Sequence, residues 1–111
     1  MTVRERADRV LAALARSDLK AVERLCKEEV IVFGTDVEEV WHDRASLAAA
    51  LDGMRELNLR VRWLGEPGVG ADWVAGPAEF TLADGATLAV RVSMIFDHGR
   101  LAHAHYSIAV R

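Results

Sequence analysis

The chain has a single cysteine, Cys26, in 111 residues, so no intrachain disulfide can form and a reducing compartment is its natural setting. It has no basic stripe: the formal charge is −3, and Lys and Arg are scattered. That excludes the electrostatic footprint of a nucleic-acid binder. No apolar run approaches the roughly 20 residues that a bilayer-spanning helix needs. The first residues, Met1-Thr2-Val3-Arg4-Glu5-Arg6-Ala7-Asp8, are charged and lead into a helical pattern, not an apolar signal segment. No repeat, linker or low-complexity tract is visible. Nor is a Ser-His-Asp triad, a Gly-rich phosphate loop or a paired-cysteine motif, so no cofactor and no reaction class is implied. The expectation is one cytoplasmic domain, 1–111, without nucleic-acid or membrane partners.

What is present is an ordinary globular balance, 51% apolar and 28% charged. A chain of this size buries roughly two-thirds of its unfolded surface, enough for one core. Ala7, Val10, Leu11 and Leu14 share one helical face, opposite Arg4, Glu5, Asp8 and Arg9. Ser17 is the expected N-cap of a short second helix that turns Leu19, Val22, Leu25 and Cys26 inward. The period changes at Val30-Ile31-Val32-Phe33, a strand stopped by Gly34-Thr35-Asp36. After a loop carrying Trp41 and His42, Asp43 caps a third helix with Leu47, Leu51 and Met54 on its buried stripe.

From Asn58 onward the pattern is strand. Leu59, Val61 and Trp63 alternate with Arg60 and Arg62. A second strand starts at Trp73, and Pro77, lacking an N–H, implies a bulge or an edge there. Asp84-Gly85 and Asp97-His98-Gly99 mark two hairpins, the last strand running from Leu101 to Val110. Helices on one face of an antiparallel meander define an α+β domain.

Several local patterns, in order, carry a resemblance. They are Ser17-Asp18 before the short helix, Glu29 to Asp36, and Trp41 before the third helix. Asp72-Trp73-Val74-Ala75, Arg91-x-Ser93 and His103-x-His105-x-Ser107 follow. In these the sequence resembles the nuclear transport factor 2-like superfamily, in particular its SnoaL-like branch. It departs from the pattern in having Asp43 where Gly is frequent and Leu101 where Trp is common. The resemblance implies a cone-shaped, curled sheet (an α+β barrel) closed by three helices over an interior pocket, and a homodimer formed through the sheet. It also implies isomerase, dehydratase, cyclase or hydrolase chemistry in some relatives and binding or assembly without chemistry in others.

The candidate site residues follow from the strand pattern. His103 and His105 lie two apart and share a face. With a two-residue His98-Gly99 loop, Met94 pairs with His103 and Val92 with His105, among apolar chains. With a three-residue loop, Ser93 pairs with His103 and Arg91 with His105, which gathers the polar groups. The latter is favoured, with Tyr106 facing away from them. A three-residue turn ending at Gly85 sets Glu79 opposite Ala89 and within reach of Arg91. Glu79, Arg91, Ser93, His103 and His105 then form one polar patch in the concave face, able to hold a carboxylate or supply a general base. The alternative is a satisfied structural network or a dimer contact.

Asp36 is either a base at the mouth or a turn residue capping local N–H groups. Trp41, Trp63 and Trp73 are pocket walls or core. Zinc would need His42, Glu79 or Asp36 beside the two histidines, so no metal is expected. Two readings stay open: a pocket for a small apolar, carboxylate or carbonyl ligand, acted on by acid–base chemistry or only bound, and a non-catalytic dimerisation domain.

Overall fold

Ser17 and Asp18 divide the labour at the first helix boundary. Helix α1, Val3–Arg16, opens on a capping box in which Thr2 and Glu5 satisfy each other's backbone N–H groups. It ends at Ser17, which adopts a left-handed conformation (φ 53°) and donates its N–H to the carbonyls of Ala13 and Leu14. The N-cap of α2, Leu19–Leu25, is Asp18, whose carboxylate accepts from Ala21 N–H at 3.2 Å. This corrects the expectation for Ser17: with two capping residues adjacent, one closes a helix and the next opens another. Asp43 caps α3, Arg44–Gly53, as anticipated, accepting from Ser46 N–H at 2.7 Å.

The computed structural model describes residues 1–55 and 58–108, so the expected strand positions 109 and 110 lie outside the described residues. The strands are β1, Cys26–Phe33; β2, Val40–Trp41; β3, Arg60–Trp63; β4, Gly68–Val69; β5, Trp73–Thr81; β6, Thr87–Asp97; and β7, Arg100–Ile108. They form one open sheet in the order β2-β1-β7-β6-β5-β3, with β4 also on β5. The sheet is mixed, not antiparallel throughout, because β1 runs parallel to β7. Its inner face carries Val30, Val32, Val74, Ala78, Val90, Val92, Met94 and Ala104, each at most 2% exposed. These pack under Val10 and Leu11 of α1 and Leu47 and Leu51 of α3 in one core. Among the described residues no helix is long and apolar enough to cross a membrane.

Pro77 lies inside the sheet, not at a bulge, and the β5–β6 register runs unbroken through it. Its carbonyl accepts from Leu64 N–H at 2.8 Å. The missing N–H therefore faces the same side, where the partner chain leaves β3 and turns into β4. The β5–β6 turn is the expected three-residue one, with Gly85 at φ 89° and Glu79 opposite Ala89.

The last hairpin combines parts of both expected arrangements. Asp97 pairs with Arg100, leaving His98 and Gly99 as a two-residue loop with φ of 52° and 79°, the pattern of a type I′ turn. Phe96 then faces Leu101, but Ile95 faces His103, so Ala102 is an extra residue in β7. This β-bulge inverts the alternation beyond it. Ser93 pairs with His105, Arg91 with Ser107, and Val92 with Tyr106. The turn is the shorter one, while the faces are those of the longer. Ala102 decides which side chains enter the core.

Candidate functional site

Between α1, α3 and the inner face of the sheet lies a cavity of about 270 Å³. Leu14, Val32, Trp41, Leu51, Phe80 and Leu88 are among its walls. Its rim is the β1–β2 connection, where Gly34 N–H donates to the Glu39 carbonyl at 2.6 Å. The Glu39 carboxylate accepts from Asp36 N–H at 3.0 Å and from the Thr35 hydroxyl at 3.4 Å. Thr35 and Glu39 line the cavity; Asp36 is exposed and caps Glu38 N–H at 3.3 Å, a turn role. Pattern reading missed Glu39 because it reaches the rim through a chain reversal, and no periodicity signals that.

Tyr106 is the one tyrosine of the chain and lines the cavity from β7. The bulge at Ala102 turns it inward, where it is 8% exposed and stacks obliquely on Phe80 at 6.2 Å between ring centroids. Among the described residues its hydroxyl is buried without a hydrogen-bond partner. Burial, with a smaller contribution from nearby Cys26, pushes its phenol well above the ordinary value. It is therefore a neutral donor at any physiological pH. Burial likewise pushes the Cys26 thiol up to about 11, partly offset by Arg44, so this cysteine is a packing residue and not a nucleophile.

The same bulge carries the histidines to the other side. His103, His105, Ser93 and Arg91 do share one face, but it is the outer face of the sheet, opposite the cavity. The placement of this patch in the concave face is therefore corrected. Phe33 packs against both imidazoles, with centroids 5.5 and 5.9 Å away. Glu79 is also on the outer face, but its carboxylate accepts from Arg62 Nε at 3.2 Å across the β3–β5 pair, not from Arg91. Trp73 is 43% exposed on that face. Trp63 packs at the edge of the core, donating Nε1–H to Asp8 at 2.7 Å beneath the Arg4 guanidinium, and does not line the cavity. His42 is exposed in its loop. Among the described residues no group of three His, Cys, Asp or Glu side chains is arranged to hold a metal ion.

A second, charged cleft lies at the far end of the sheet. There Lys27 bridges Asp97 and Glu29, the latter at 3.1 Å. Hydrogen bonds from Lys27 hold both carboxyls below their usual range, and those two partners hold the ammonium above its own. These groups satisfy one another.

No protein-family model matches the chain, and no curated protein is significantly similar. Solved structures are similar in fold. One is a nuclear transport factor 2-like protein of unknown function from Cytophaga hutchinsonii ATCC 33406, 13% identical, with a TM-score of 0.76 over 98% of this chain and 91% of that one. Another is a SnoaL-like family protein from Agrobacterium tumefaciens str. C58, 14% identical, with a TM-score of 0.79 over 96% of each chain. A third is an LEH-like epoxide hydrolase from M. tuberculosis, 15% identical, with a TM-score of 0.80 over 96% of this chain and 82% of that one. The chain has the nuclear transport factor 2-like fold, an α+β arrangement with, among the described residues, three α-helices on an open seven-stranded sheet. At such identities the likeness speaks for the fold alone.

Proposed function

We propose that the domain binds a small, largely apolar molecule, about two fused rings in size, in the cavity beneath the sheet. The carrying observation is the lining: a hollow of about 270 Å³ walled almost entirely by apolar side chains. A cavity of about 150 Å³ with such walls takes up benzene, so this one has room for a second ring. Arg91 and the two histidines lie across the sheet from it, which weakens the case for a bound carboxylate and for acid–base catalysis by His103 or His105. Among the described residues Glu39, on the rim, is the acidic group that lines the cavity. The reading is therefore of a binding domain.

Indane and naphthalene test this. At tenfold excess over Kd a ligand of the folded state adds about 1.4 kcal/mol, which raises Tm by about 6 °C in a domain this small. No rise with either compound at its solubility limit contradicts the reading.

We also propose a cytoplasmic homodimer that meets through the outer face of the sheet. Ile31, Phe33, Trp73 and Ile95, 36–47% exposed, share that face with the histidines. Apolar chains gathered this way favour a partner surface, and a second copy supplies a self-complementary one. A typical interface takes about 800 Å² from each partner, roughly an eighth of the 6736 Å² surface here. Sedimentation should give a dimer, and Phe33→Glu with Ile95→Glu a folded monomer. A monomeric wild type, or a dimer untouched by the pair, sinks this reading.

A further inference from the structure

We propose that Tyr106 is the polar anchor of the cavity, and that the bound molecule is a compact bicyclic compound bearing one hydrogen-bond acceptor, such as a ketone. This rests on the ligand-binding reading above and deepens it.

Buried hydroxyls are nearly always partnered, because stripping one of water without replacement is unfavourable. Tyr106 Oη is buried and unpartnered among the described residues, in a side chain that lines the cavity. A phenylalanine would pack against Phe80 equally well and leave no polar atom stranded. The phenol also stays protonated, held so by its apolar surroundings. It can therefore donate one hydrogen bond, to an occupant whose entry shifts the ring enough to uncover the hydroxyl, which the empty cavity does not reach. Among the described residues the other polar side chains lining the cavity, Thr35 and Glu39, are engaged with each other at the rim. A ligand with one acceptor, otherwise apolar, matches this inventory; a ligand with several polar groups leaves some unpaired.

The test compares indane with 1-indanone, which differ by one carbonyl. Both should bind, and the ratio of their Kd values should favour the ketone about tenfold more in the wild type than in Tyr106→Phe. Ligand-free Tyr106→Phe should melt about 4 °C higher, since a stranded hydroxyl has been removed. Because the chain has one tyrosine, ¹³Cζ-tyrosine labelling gives a single resonance, which 1-indanone should move and indane should not. This second readout uses the unaltered protein. If both compounds bind with no dependence on Tyr106 and no movement of that resonance, the anchor is wrong while the binding reading stands. If neither compound binds the wild type, both fall.

Discussion

Deleting Ala102 should leave the domain folded, whereas deleting Ala104, two residues on, should cost about 4 kcal/mol or more, among the largest effects of a single change. The asymmetry follows from the bulge. Ala102 is the unpaired residue, so its removal joins Leu101 directly to His103 while each keeps its partner, Phe96 or Ile95. Every later side chain stays on its present face, and the loss is confined to local twist. Removing Ala104 leaves two poor choices. If the bulge persists, His105 turns into the core and Tyr106 is expelled from it. If the bulge heals, His103 enters the slot now held by Ala104, which is fully buried. Either choice overfills a packed layer and buries an imidazole without a partner. Denaturant melts of the two variants decide this; equal losses contradict the assigned bulge.

The second large effect concerns the hollow. Ala15 sits on α1, is 9% exposed and lines the cavity. Ala15→Phe should place its ring in space that already exists. Indane affinity then falls more than tenfold, while Tm holds or rises. The direction matters more than the size. In a close-packed interior the same substitution forces side chains off their rotamers and costs about 1–3 kcal/mol. A stable variant that no longer binds indane supports an empty, accessible hollow, and a destabilised one argues that the space is filled. Calorimetric titration and thermal melts give both numbers from one preparation.

Much of the fold was legible because its signals are local and redundant. The stripe Ala7, Val10, Leu11 marks α1. Asp84-Gly85 fixed a turn length, and with it the position of Glu79. What escaped has a physical cause in each case. The parallel pairing of β1 with β7 joins segments some 70 residues apart, and no local pattern encodes it. Ser17 and Asp18 are both competent caps, so composition alone cannot order them.

The side given to the histidines is the costliest miss. Ala104, Tyr106 and Ile108 alternate with His103, His105 and Ser107, a pattern that turns the imidazoles outward, and gathering the polar groups in the concave face overrides it. Once the face of the histidines was misassigned, the expected site moved to the wrong side of the sheet. Tyr106, set aside as facing away from the polar groups, does face away from them, and so faces the cavity.

Cross-strand contacts between β6 and β7 in solution probe this assignment without any substitution. Nuclear Overhauser effects should connect the backbones of Ile95 with His103 and of Val92 with Tyr106. Contacts from Met94 to His103 and from Val92 to His105 would instead bring the imidazoles under the helices, and the tyrosine anchor would have no place to act.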